Sequence, residues 1–206
     1  MDVVFDFGNV LLEWNPAQLA VEHFAHGLPT HHTPQTFAAA MVNEDWIAYD
    51  NGDCDLPSLA RVLAPKLGCD EERLAAFVGK IPRVLPPLVA SITALTSLLD
   101  ARDRGEKLRV FYLSNMPGEF ADLLEGRFDW IDRFDGGIFS ARARLSKPNA
   151  AVYAALEQAH QLVPEDTLFL DDSAANVAAA ASRGWRTVHV QSEQDVTDGL
   201  RVHGLL

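Results

Sequence analysis

Cysteine, lysine and long apolar runs are all scarce in this 206-residue chain. Its two cysteines, Cys54 and Cys69, make no metal-type cluster. They read as unlinked thiols of a reducing compartment, not as a disulfide framework. No apolar stretch approaches the roughly 20 residues of a membrane span. Nor does a basic patch lead into an apolar signal core, because Val3-Val4-Phe5 opens a strand at once. A cytoplasmic protein is expected. Basic residues number 17 against 29 acidic ones, for a net charge of −12. Phosphate backbones and anionic membranes are captured by basic patches, so nucleic acid and membrane are excluded as partners. A small anionic substrate stays compatible if a metal and a lysine neutralise it locally. Only four lysines exist, Lys66, Lys80, Lys107 and Lys147, so each is worth weighing.

What is present suits a globular fold. Hydrophobic residues make up 48% and charged ones 22%, and the length fits one domain, or one domain with an insertion. Val3-Val4-Phe5 is a short apolar run ending at Asp6-Phe7-Gly8-Asn9, which reads as a buried strand and a turn. Residues 110–113, 167–170 and 187–190 have the same apolar, β-rich character of buried parallel strands. Helical segments alternate with them. Leu88, Ile92, Leu95 and Leu99 recur at helical spacing, and residues 150–161 and 174–183 are alanine-rich, the second ending before Gly184. The alternation predicts a doubly wound, Rossmann-like α/β core with a parallel sheet. Residues 15–86 break the rhythm and read as helices (16–24, 34–42 and 56–67) joined by polar loops. The expected organisation is a core of residues 1–14 and 87–206, with residues 15–86 inserted as a helical cap.

Four strand-end groups could carry chemistry. Asp6 lies where open α/β sheets bind ligands, beyond the carboxyl end of a strand. A carboxylate there can attack phosphorus if a cation screens the repulsion; it can equally be a turn residue. Asp171-Asp172 follows another strand and precedes a helix, where an N-cap is routine. Two adjacent carboxylates nevertheless repel unless a cation lies near them, and hard oxygen ligands suit Mg²⁺. Ser114-Asn115 ends a third strand with a hydroxyl and backbone N–H groups that can hold phosphate oxygens, or serve an ordinary turn. Lys147 precedes Pro148, a lysine before a helix-starting proline.

In this order the motifs Phe5-Asp6-Phe7-Gly8-Asn9-Val10-Leu11, Leu113-Ser114-Asn115, Ser146-Lys147-Pro148 and Leu170-Asp171-Asp172-Ser173 resemble those of the haloacid dehalogenase superfamily. They look particularly like bacterial sugar-phosphate phosphatases, including the α-glucose-1-phosphate phosphatase group. The resemblance covers the whole chain. It implies a phosphomonoester hydrolase acting on a small phosphorylated molecule. Asp6 would be the nucleophile that forms an aspartyl phosphate. Mg²⁺ would be held by Asp6, the Gly8 carbonyl and Asp171-Asp172, with Asp172 a direct ligand and Asp171 reaching the metal directly or through water. Ser114 and the Asn115 backbone would bind phosphoryl oxygens, and Lys147 would neutralise charge and orient Asp6.

One departure matters. Many phosphatases of the superfamily carry an acid–base aspartate two residues after the nucleophile, and this chain has Gly8 there. General acid–base help is typically worth roughly 10²–10⁴-fold. A good leaving group would lessen the need; otherwise Glu13, Glu44, Asp45 or Asp50 are candidate donors. Trp14, Trp46 and Tyr49 read as packing residues that can also line a pocket. His26, His31 and His32 read as a polar loop, and Asn176 as either a support for the acidic pair or a helix-surface residue. The rival functions are a metal-independent dehalogenase, a non-catalytic binder of phosphorylated ligands, and a phosphonate-cleaving enzyme using a lysine such as Lys66.

Overall fold

The computed structural model describes residues 1–24, 27–29 and 32–206. A five-stranded, wholly parallel sheet forms the centre: β1 (Asp2–Phe5), β2 (Arg109–Ser114), β3 (Gly136–Phe139), β4 (Thr167–Asp171) and β5 (Arg186–His189), in the order β3-β2-β1-β4-β5. β1 and β4 are buried along their whole length and β2 along most of it, as their nearly unbroken apolar runs require. Successive residues of β1 serve opposite faces. Val3 and Phe5 join a cluster with α6 (Val89–Asp103) and α11 (Glu193–Val202), whereas Val4 packs with α9 (Ala150–His160) and α10 (Ala174–Ser182). The sheet is therefore covered on both sides, an α/β Rossmann-like fold.

β1 pairs with β2 on one side and β4 on the other, so the chain changes direction across the sheet at β1. Phe5 lies opposite both Tyr112 and Leu170, so the register places Asp6 beside Asp171. Three strands thus deliver Asp6, Ser114 and the acidic pair to one carboxyl edge, where ligands of open sheets bind.

The described residues between β1 and α6 form five helices: α1 (Pro16–His23), α2 (Pro34–Met41), α3 (Glu44–Asp50), α4 (Leu56–Leu67) and α5 (Glu71–Val84). The Asn15, Thr33, Asn43 and Asp55 side chains accept backbone N–H groups at the starts of α1 to α4, and α4 stops at Gly68 in the left-handed conformation. Two of these helices exceed the sequence expectation. α3 is seven residues long and acid-rich, too short for a periodic signal. α5 buries Leu74, Phe77, Val78 and Ile81 at helical spacing, with Pro82 two residues from its end. Two further helices, α7 (Gly118–Glu125) and α8 (Ser140–Ala143), follow β2 and β3. β3 was also unmarked in the sequence. It opens with two glycines, and Gly137 is required because a Cβ there would lie 2.4 Å from the Tyr112 ring. No described helix is long and apolar enough to cross a membrane.

Candidate active site

The turn after β1 is wound tightly. Phe7 C=O accepts the N–H groups of Leu11 and Leu12, and Asn9 adopts a left-handed φ of 52°. The turn leaves the Asp6 side chain at the strand end, with its Oδ1 accepting from the Phe7 N–H at 2.7 Å. Asn9 is then used twice. Its Oδ1 accepts from the Trp14 N–H (2.9 Å), and its Nδ2 donates to Asp172 Oδ2 (2.8 Å). The left-handed asparagine therefore ties the end of β1 to Asp172 at the end of β4.

Lys147 is buried and its Nζ lies 2.9 Å from Asp6 Oδ1 and 2.6 Å from Asp171 Oδ2. Asn115 fixes the lysine backbone from both directions: its Oδ1 accepts from the Lys147 N–H (2.8 Å) and its Nδ2 donates to the Lys147 C=O (2.9 Å). The Asn115 side chain is thus a clamp, while its backbone N–H donates to no protein acceptor among the described residues. Asp171 is fully buried and both its oxygens are occupied. Oδ1 accepts from the Ser173 N–H (2.8 Å) and Asn176 Nδ2 (2.9 Å); Oδ2 accepts from Lys147. Asn176 is accordingly a buried support for the acidic pair, not a surface residue of α10. Its place five residues after Asp171, one turn into a helix, was the signal available in the sequence.

Asp6, Gly8, Ser114, Asn115, Lys147 and Asp172 line a single cavity of about 350 Å³. Asp171 lies behind them, against Lys147. Asp6, Asp171 and Asp172 each offer one oxygen within 4.8 Å of the others, so the group could hold a metal ion. The Gly8 carbonyl accepts no backbone hydrogen bond among the described residues and is free for a ligand. Electrostatics mark the same place. Burial pushes the Asp6 carboxyl up to about 7 against the pull of Lys147, with the Asp171 charge adding to the rise. Burial also raises Asp172, opposed by the Asn9 hydrogen bond. Burial disfavours the Lys147 ammonium, yet Asp6 and Asp171 outweigh it and push its pKa upward.

The remaining cavity wall is largely apolar, with Leu12, Trp14, Trp46, Leu85, Met116 and Phe120 contributing. Trp14 and Trp46 lie 5.7 Å apart, whereas Tyr49 packs edge-on against Phe120 outside the cavity. Of the four candidate proton donors only Asp50 lines the cavity. Glu13 and Glu44 are exposed, and Asp45 pairs with Lys66 Nζ at 2.5 Å. Lys66, paired and half-exposed, does not line the cavity. His32 packs edge-on against Phe37, and His26 and His31 lie outside the described residues.

A family model of haloacid dehalogenase-like hydrolases matches residues 3–184. The chain belongs to that family. This haloacid dehalogenase-like hydrolase is 25% identical over 188 residues to a sesquiterpene phosphatase from Aspergillus oryzae, covering 91% of this chain and 88% of that protein. Its fold is similar to a family enzyme from Bacteroides thetaiotaomicron crystallised with magnesium and inorganic phosphate, with a TM-score of 0.68, 19% identity, and coverage of 90% and 91% of the two chains. An L-2-haloacid dehalogenase from Xanthobacter autotrophicus with covalently bound chloropropionic acid is equally similar in fold. There the TM-score is 0.68 at 21% identity, covering 100% of this chain and 84% of the other.

Proposed function

We propose that this hydrolase is a Mg²⁺-dependent phosphatase of small-molecule phosphomonoesters, working through an aspartyl phosphate on Asp6. In this reading residues 1–14 and 87–206 form the catalytic core and residues 15–86 the cap. The observation that carries the reading is the charge balance at the strand ends: three clustered carboxylates face one ammonium. A lysine neutralises at most one of them, which leaves negative charge uncompensated in a site where Asp171 and Lys147 are almost wholly buried. A divalent cation is the natural complement, and the donors are the hard oxygens Mg²⁺ prefers. Asp6, Asp172 and the Gly8 carbonyl would hold it, with Asp171 contributing directly or through water. When bound, such an ion offsets the charge of a phosphoryl group and lets it approach a carboxylate.

The chain's own residues do the rest. Phe7 N–H and Lys147 fix the Asp6 carboxylate, which attacks phosphorus. The Ser114 hydroxyl and Asn115 N–H receive phosphoryl oxygens, and Lys147 offsets the charge that builds on them. Most of the rate acceleration then comes from positioning and preorganised charge. Closure of the cap residues over the cavity would exclude bulk water.

The leaving group divides two readings. The sequence resemblance points to a sugar. The cavity lining favours an apolar alcohol, because beyond the phosphate end Asp50 is, among the described residues, the one ionisable side chain left for sugar hydroxyls, and unpaired hydroxyls are costly to bury. The sesquiterpene phosphatase relative supports the apolar reading. The test is phosphate release from a prenyl phosphate, a sugar phosphate and p-nitrophenyl phosphate, with Mg²⁺ or EDTA, in wild type and Asp6→Asn. Mg²⁺-dependent release, lost in Asp6→Asn and fastest with the prenyl ester, is the expected result. Haloacid turnover that survives EDTA would establish a dehalogenase instead. Phosphate binding without release from any ester would establish a binding protein.

A further inference from the structure

One titratable group in the cavity wall has no part in the chemistry above. Asp50 ends α3, on the helical insertion, yet it is anchored to the core on both sides. Its backbone carbonyl accepts from Ser140 Oγ (2.5 Å), and the same hydroxyl accepts from the Met116 N–H (2.8 Å), next to the Ser114-Asn115 strand end. Just before it, Tyr49 packs on Phe120 and donates its hydroxyl to Glu119 (3.4 Å). Just after it, Gly52 has a φ of 74°, and a Cβ there would sit 2.6 Å from the Ala141 carbonyl oxygen. Glycine is needed for this close docking of the α3 end on α8.

The side chain held in this way lines the cavity alongside Asp6, Trp46 and Phe120. It stands outside the group of three carboxylates that could hold a metal. Unlike Asp45, it has no cationic partner among the described residues. Every other ionisable side chain of the cavity has a place in the proposed chemistry, and the proton donor is the missing part, because Gly8 has no side chain.

We propose, on the phosphatase reading above, that Asp50 is the acid–base catalyst, supplied by the helical insertion in place of the side chain Gly8 lacks. As Asp6 bonds to phosphorus and the ester P–O bond breaks, the Asp50 carboxyl gives its proton to the departing oxygen. The alcohol leaves neutral and Asp50 becomes a carboxylate. It then takes a proton from a water whose oxygen bonds to phosphorus as the Asp6–phosphorus linkage breaks. Inorganic phosphate departs and Asp50 has its proton again. Burial, and then the Asp6 charge, pushes the Asp50 carboxyl up to about 8 against the pull of a Trp46 hydrogen bond, so the acid form is present at neutral pH.

Two esters separate this role from a structural one. p-Nitrophenolate departs without a proton, whereas the alcohol of octyl phosphate needs one. Asp50→Asn is expected to retain a rapid burst of about one p-nitrophenolate per site. Its steady-state turnover of that ester should fall roughly 10²–10⁴-fold, because the phospho-Asp6 form is no longer hydrolysed efficiently, and it should barely cleave octyl phosphate. Asp50→Glu, which keeps an acid, should restore part of both activities. Wild-type rates with both esters, or an equal loss of burst and turnover that Asp50→Glu does not relieve, would overturn the assignment. Wild-type protein inert to both esters would overturn the phosphatase reading itself.

Discussion

The placement of Asp50 should be visible in stability before any substrate is added. Its carboxyl is raised from the 3.8 of an ordinary aspartate to about 8. Between those values the folded protein keeps a proton that the unfolded chain releases, so folding weakens as pH rises through this window. The contribution is fully present below about pH 4 and lost above about pH 8. A rise of about four units has a ceiling of roughly 6 kcal/mol, of which about 4 falls between pH 5 and 9. One face of Asp50 looks into the cavity, and water there screens the charge, which brings the expected effect to roughly 2 kcal/mol. Asp50→Asn removes the titrating group. In EDTA its melting temperature should therefore gain on wild type as pH rises, by roughly 4–8 °C between about pH 5 and pH 9 for a domain of this size. Because the Asp6 charge is part of the cause, the gain should shrink in an Asp6→Asn background. A melting difference that stays constant across the range would refute the reasoning, since it would mean that Asp50 ionises as an exposed aspartate does.

The remaining expectations concern the strand-end network. Lys147→Met leaves Asp6 and Asp171 without their shared ammonium and should cost roughly 3–5 kcal/mol, read by urea melts near neutral pH. Asn9→Ala removes the hydrogen bond that orients Asp172, and should weaken Mg²⁺ binding roughly 10–100-fold by calorimetry; it also frees the Trp14 N–H and puts alanine at a left-handed φ, so the melting temperature should fall by several degrees as well.

The core was legible because its signals are local and ordered. Val3-Val4-Phe5 and the runs at 110–113 and 167–170 each end at a chemically loaded residue, and parallel pairing gathers strand ends on one edge whatever the loops between them do. That placement, joined to the resemblance of the four motifs to the superfamily, is why residues as far apart as Asp6, Ser114 and Asp171 could be assigned to one site from the sequence. β3 escaped because its glycines answer to the Tyr112 ring rather than to strand propensity. α3 escaped because seven residues cannot display a period. The supporting asparagines were only half legible. Asn115 was read for its backbone, but its side chain clamps Lys147, and Asn9 bonds across 163 positions, a distance no local pattern reveals.

The four candidate proton donors show what kind of information was missing. Glu13, Glu44, Asp45 and Asp50 are equivalent as a list, and helix phase separates three of them. Trp46 and Asp50 are four residues apart and share a face of α3, so an aromatic that lines the cavity brings the carboxylate with it. Asp45, one position earlier than Trp46, turns to Lys66 on α4. Glu44 lies exposed in the first turn of the same helix, where its charge favours the helix dipole. The phase alone would still leave Asp50 fixed only to the insertion. The Ser140 hydroxyl removes that freedom by joining the Asp50 carbonyl to the Met116 N–H, so the carboxylate is referenced to the loop after β2. Loss of that hydroxyl in Ser140→Ala should therefore lower turnover of octyl phosphate more than the p-nitrophenolate burst. An equal effect on both would mean that the bridge holds the fold and not the acid.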